Sequence, residues 1–168
     1  MGAIVDRERG VAIHSNGKDC YESHGEHYSN DDGYYYGRCW QCVEFVKRYY
    51  HDRFHHHMPD VWGHAKSFFN TSLKHGEINR DRALVQYRNG GDEKPRAEDL
   101  LVYTHGEYGH VAIISKVEAD SVEVVQQNIA GLPRVRLPLV KTADGWLLGG
   151  TNKPAGWLRL PPHSEGGS

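Results

Sequence analysis

The hydrophobic period of this chain changes once, near residue 100, and that change limits the possible fold more than any other feature. Before it, Trp40 to Phe54 carries apolar residues at Val43, Val46, Tyr50 and Phe54, with Phe45 and Tyr49 beside them. That is helical spacing, and it leaves Lys47, Arg48, Asp52 and Arg53 for a solvated outer face. A second helix is expected over Val61–Leu73, with Trp62, Ala65, Phe69 and Leu73 on one side. After the change, Leu100–Tyr103, His110–Val117, Ser121–Gln127, Arg134–Leu139 and Gly156–Leu160 are strand-length runs rich in Val, Ile and Leu. Ala119-Asp120 is a short connection and predicts an antiparallel hairpin. Helices followed by a run of strands predict an α+β domain, with the N-terminal helices packed on an antiparallel sheet.

The length of 168 residues suits one core. The domain is expected to span 1–160, and the Pro/Gly/Ser-rich stretch 161–168 reads as a flexible tail or the start of a linker. The front of the chain, to about Gly37, is rich in Gly, Asn, Asp and Tyr. It predicts irregular structure with a short strand at Val11–His14.

Composition removes several function classes. A formal net charge of -2 gives no electrostatic footprint for nucleic acid. Apolar runs such as Val111–Ile114 and Leu137–Val140 are far too short to span a membrane. The opening residues show no basic segment followed by an apolar stretch, so the expected location is cytoplasmic as made, with export by a leaderless route or release by lysis as the ways out. Three cysteines, Cys20, Cys39 and Cys42, make no disulfide framework. Cys39-Trp-Gln-Cys42 is formally a C-x-x-C, but no β-α-β pattern precedes it to support a redox role, and no second ligand pair supports zinc.

Cys42 falls at the start of the strongest predicted helix. There the helix dipole and the first-turn N–H groups favour thiolate and offer donors to an oxyanion. His110 heads an apolar strand in Tyr-Gly-His-Val-Ala-Ile-Ile, where Gly109 leaves room for close approach, and a nucleophilic cysteine needs such a base. Gln126-Gln127-Asn128 ends the next strand. If that strand pairs back across the Ala119-Asp120 turn, Gln126 or Asn128 can accept from the imidazole and orient it. Gln41, just before Cys42, is a candidate second oxyanion donor.

These motifs, in this order, resemble the CHAP domain, a papain-like family of cysteine amidases and peptidases. The resemblance rests on Trp40-Gln-Cys-Val-Glu-Phe-Val, Gly109-His-Val-Ala-Ile-Ile, Val124-Val-Gln-Gln-Asn128 and Pro95-Arg-Ala-Glu-Asp-Leu-Leu101. Gly10-Val-Ala-Ile13 and Gly156-Trp157 extend it toward the amidase domain of glutathionylspermidine synthetase/amidase. It implies a papain-like CHAP fold, with Cys42 as nucleophile, His110 as base and Gln126 in the third position, supported by Asn128. Many relatives carry Glu where this chain has Gln126. A neutral amide can still orient imidazole, as Asn does in papain-like enzymes.

The implied reaction is acyl transfer from an amide, with no metal or organic cofactor required. The implied substrate is a peptidoglycan peptide, cut by a wall hydrolase, lysin or antibacterial toxin with an immunity protein as partner. Glutathionylspermidine is the alternative, and a catalytically degenerate binding module is the alternative of another class. Two further features stand outside this scheme. His51 and His55 share a helix face at metal-binding spacing, but without an H-E-x-x-H motif they read as a solvated helix end. The tyrosines at 34–36 suit either a groove or the core.

Overall fold

The structure, a computed structural model, describes residues 3–15, 25–59, 65–106, 108–128, 133–149 and 153–161. Cys20, the first residues of the expected second helix and nearly all of the 161–168 tail lie outside these.

In chain order the elements are β1 (Ile4–Glu8), β2 (Val11–His14), β3 (Glu26–Tyr28), β4 (Tyr35–Arg38) and the helix α1 (Cys42–Phe54), followed by a single 3-10 turn at Ala65–Phe68. The second half contributes β5 (Glu77–Asn79), β6 (Leu84–Arg88), β7 (Leu100–Tyr103), β8 (His110–Val117), β9 (Ser121–Val125), β10 (Arg134–Lys141), β11 (Trp146–Leu148) and β12 (Gly156–Arg159). Eight of these strands form one antiparallel sheet in the order β11-β10-β9-β8-β7-β12-β6-β5. The small hairpins β1-β2 and β3-β4 stand apart from it.

The central strands are apolar on both faces because both faces are covered. Leu100, Val102, Val111, Ile113, Val125 and Leu158 point to one side and pack with Phe45, Val46, Tyr49 and Tyr50 of α1. The alternate residues Leu101, Ala112, Ile114, Val122, Val124 and Trp157 point to the other, with Leu139 and Leu148. Period-2 side-chain direction turns runs such as Val111-Ala-Ile-Ile114 into two half-cores. The second half-core is closed by the sheet's own curl. Trp146 N–H donates to the Gly91 carbonyl at 2.9 Å, and Gly90 N–H to the Trp146 carbonyl at 2.8 Å, so β11 returns to the segment after β6.

The expected α+β class, the antiparallel sheet and the β8-β9 hairpin are present, with Val117 paired to Val122 beside the turn. Three local expectations are corrected. Among the described residues there is one α-helix, not two. Over 65–73 the chain makes only the 3-10 turn, because Gln86 of β6 takes both the N–H and the carbonyl of Asn70, at 2.9 and 2.7 Å. Among its described residues the front of the chain is not irregular but builds β1, β3 and β4 as well as β2. Charged residues in β1 hide its strand character, and Arg134 of β10 ties it to the sheet, ion-paired to Asp6 and Glu8.

The third correction concerns the outer face of α1. Lys47 and Arg48 are buried, not solvated, because the two hairpins lie over that face. The ammonium of Lys47 sits 5.0 and 5.2 Å from the Tyr34 and Tyr35 ring centroids. Arg48 pairs with buried Glu44 at 2.6 Å and reaches the Ala12 carbonyl of β2 at 2.7 Å.

Candidate active site

The strand β4 runs straight into the start of α1, and Gly37 makes the approach close. At φ +134° its missing Cβ would lie 3.3 Å from the Glu44 backbone, so a side chain there would push strand and helix apart. Gln41 is the N-cap of α1, in extended conformation, and its side chain makes no capping hydrogen bond. Cys42 is the first helical residue, half-buried, with a free thiol.

His110 opens β8 beside this helix start. The turn before it depends on Gly109, which has φ +73° and whose absent Cβ would fall 2.5 Å from the Tyr103 carbonyl and 2.6 Å from Lys66 Cβ. His110 is hydrogen-bonded to Cys42. Its Nε2 lies 2.9 Å from Gln126 Oε1. With Nε2 committed to Gln126, Nδ1 is the ring nitrogen left for the sulfur.

The electrostatics favour an ion pair. Burial pushes the Cys42 thiol up. The His110 charge and hydrogen bond, with the N–H groups of Val111 and Val43, outweigh it and hold the thiol below its ordinary value. Burial pulls His110 down, but the charge and hydrogen bond of Cys42, together with the hydrogen bond of Gln126, hold it above the ordinary imidazole value. Cys39, three residues earlier, goes the other way. Burial first, and the Glu44 charge second, push its thiol up.

Cys42, His110 and Gln126 are therefore brought together, and Gln41 adjoins them. Asn128 lies two residues beyond Gln126 with φ +70°, and the hydrogen bond on His110 Nε2 comes from Gln126. Between them Gln127, which sequence reasoning passed over, does the most structural work. Only 1% exposed, it accepts from His14 N–H at 2.8 Å and Arg48 at 3.2 Å. Its amide nitrogen donates to the Gln41 carbonyl at 2.9 Å and to Glu44 at 2.7 Å. This one amide ties β2, the end of β9 and the start of α1 together. Glu44 completes the tie, accepting from Arg48 and facing His27 Nδ1 at 2.8 Å. Burial pushes the Glu44 carboxyl up, but hydrogen bonds from His27, Arg48 and Gln127 and the Arg48 charge hold it below its ordinary value. No local pattern in the sequence marks Gln127, because its partners lie 79 to 113 residues away.

The rim of the site is aromatic. Trp40 stacks on His14 at 3.8 Å between centroids, and Tyr103 lies 6.0 Å from His110. The solvated helix end expected at His51 and His55 holds for His55, which is exposed, and not for His51. His55 is the left-handed C-cap of α1, and His51 is 3% exposed, not solvated, because it faces Asp32 and His57. Of the tyrosines, Tyr36 joins the core and Tyr34 stacks on His57.

The model of the CHAP domain matches residues 30–128, which is more than half of the chain and includes Cys42, His110 and Gln126. The bifunctional glutathionylspermidine synthetase/amidase of Escherichia coli (strain K12) is 31% identical over 134 residues, 74% of this chain and 22% of that protein. A trypanothione synthetase of Crithidia fasciculata is 31% identical over 121 residues, 70% of this chain and 18% of that protein. The chain thus spans about a fifth of the length of the curated relatives it matches. Among solved structures, the endolysin LysIME-EF1 aligns with a TM-score of 0.46 and 20% identity over 83% of this chain and 59% of that one, a likeness too distant to carry an argument.

Proposed function

Since this chain belongs to the CHAP domain family, we propose that it is a cysteine amidohydrolase, with Cys42 as nucleophile and His110 as general base and acid. The observation that carries the proposal is the Cys42–His110 pair, with thiol lowered and imidazole raised, at the start of α1. A structural cysteine buried beside β8 gains nothing from a charged imidazole, whereas a nucleophile gains its reactive form.

In the proposed reaction the Cys42 thiolate attacks an amide carbonyl. The resulting oxyanion is held by backbone N–H at the helix start, with the Gln41 side chain as a second donor. Protonated His110 gives its proton to the leaving amine as the C–N bond breaks, leaving a thioester. His110 then takes a proton from water, and the hydroxide released attacks the thioester to free the acid and the thiol. Gln126 accepts from His110 Nε2 throughout, fixing the ring and leaving Nδ1 for both transfers. Asn128 supports the end of the strand that carries Gln126.

Two amide classes fit this chemistry. Peptidoglycan stem peptides are implied by the resemblance to wall-cutting domains of this family, and an immunity protein would accompany such an activity if the protein acts on rival cells. Glutathionylspermidine is favoured by the names of the relatives that align with three quarters of the chain. No helix among the described residues is long and apolar enough to cross a membrane.

The test is mass spectrometry of products from parallel incubations with muropeptides and with glutathionylspermidine, using wild type, Cys42→Ala and His110→Ala. Cleavage by the wild type alone supports the proposal and names the amide. Cleavage by Cys42→Ala refutes the assignment, and a wild type silent on both amides turns the reading to a binding module that has lost catalysis.

A further inference from the structure

Away from Cys42, Asp32, His51 and His57 each offer one donor atom to the same small region. The three atoms lie within 4.8 Å of one another. One oxygen, Asp32 Oδ2, stands 3.1 Å from His51 Nε2 and 2.8 Å from His57 Nε2. The two imidazole planes differ by 12°, and Tyr34 lies flat on His57 at 4.4 Å and 4°. The aromatic stack therefore presents both Nε2 atoms to one carboxylate oxygen.

The far side of His51 sharpens the point. Its Nδ1 faces Tyr36 Oη at 3.2 Å and Asp52 Oδ1 at 3.4 Å. A neutral ring with its hydrogen on Nδ1, serving these acceptors, would set the Nε2 lone pair against the Asp32 oxygen. Two lone pairs at 3.1 Å repel unless a positive charge lies between them. Asp31 adds a further carboxylate oxygen, 3.6 Å from His51 Nε2. The side chain of His51 is 4% exposed, while those of Asp32 and His57 are 39% and 51% exposed, so the point is open to solvent on one side.

We propose that Asp32, His51 and His57 form a binding site for a zinc-like divalent transition metal, with Asp31 or water as fourth ligand. Two imidazoles and a carboxylate suit zinc and its neighbours, whereas calcium and magnesium prefer oxygen alone. Tetrahedral bonds of about 2.0–2.1 Å place donors about 3.3 Å apart; the Asp32 distances of 3.1 and 2.8 Å are shorter, so the donors would part by up to about 0.5 Å to take the ion. Tyr36 and Asp52 supply the outer hydrogen bonds that orient His51 as a ligand. The metal joins three segments: the β3-β4 connection through Asp32, α1 through His51, and the chain after α1 through His57. It clamps the strand that leads into Cys42, yet the site stands or falls independently of the proposed amide hydrolysis.

The test uses the full chain carrying Cys42→Ala, so that the reactive thiol cannot compete for metal. Chelator-stripped protein is titrated with zinc against a chromophoric chelator, and thermal unfolding is followed with and without zinc. One zinc per chain is expected, with a rise in melting temperature. Asp32→Asn and His57→Ala should each weaken binding at least about 100-fold and abolish the rise, while His55→Ala should change neither. Tyr36→Phe should weaken binding by about 10-fold, as loss of an outer-shell partner does. Cobalt in place of zinc should give an absorption spectrum without thiolate charge-transfer bands. No zinc bound, or binding unchanged in both Asp32→Asn and His57→Ala, overturns the proposal; the first would make the positive charge at this point a proton.

Discussion

Gln126 of the segment after β9 accepts from His110 at the head of β8, Oε1 to Nε2 at 2.9 Å, across two strands paired antiparallel. The contact leaves Nδ1 as the ring nitrogen available to Cys42 and supports the imidazolium without a formal negative charge. Its substitution should be graded. Gln126→Ala should slow amide cleavage by about 10²–10⁴-fold by releasing the ring, within the range known for a misoriented catalytic imidazole. Gln126→Glu should retain activity and, through its added charge, raise the imidazole further, moving the alkaline limb of the pH–rate profile upward. A Gln126→Ala enzyme as fast as wild type would remove this residue from the mechanism.

Thiol labelling reads the ion pair without any substrate. The Cys42 thiol is held below its ordinary value, so its thiolate persists as pH falls below about 8.5, where an unperturbed thiol protonates. Iodoacetamide at pH 6–7 should therefore modify Cys42 and spare Cys39, whose thiol is pushed up by burial. His110→Ala leaves burial unopposed by the imidazolium, and labelling at pH 7 should fall by about 10–100-fold. Peptide mapping of the labelled protein gives the answer.

The Glu44–Arg48 pair should matter to stability more than a surface pair would, because both groups are buried. Glu44→Ala is expected to cost about 3–5 kcal/mol by leaving Arg48 buried without its carboxylate. The Glu44 carboxyl is depressed in the folded protein. Its contribution is thus fully present above the unfolded value of about 4.3 and is lost as pH falls through the folded value. Urea midpoints of wild type and Glu44→Gln across pH 3–7 should converge at the acid end; a constant gap would contradict the linkage.

Gly109→Ala should displace His110 rather than simply loosen the turn. The new Cβ meets the Tyr103 carbonyl at 2.5 Å, with φ at +73°. A cost of about 1–3 kcal/mol is expected, accompanied by slower Cys42 labelling. Loss of stability with labelling unchanged would show that the turn does not set the His110 position.

The sequence by itself determined the α+β class, the helix that starts at Cys42 and the hairpin of β8 and β9, and it set Cys42, His110 and the Gln126–Asn128 run at the ends of their elements. Each of these is written in local terms: a hydrophobic period, a short turn, a residue type at an element's end. Only the tertiary structure decided what covers α1. Helical periodicity assigns Lys47, Arg48 and His51 to water, because it records only polarity. Two hairpins, of which the sequence announced only the strand at Val11–His14, then bury all three against partners outside the helix's own repeat. The same holds for Gln127, whose four hydrogen bonds exist only once β2, α1 and the end of β9 have met. Polar contacts of this kind depend on direction and distance between remote segments, and one-dimensional spacing carries neither.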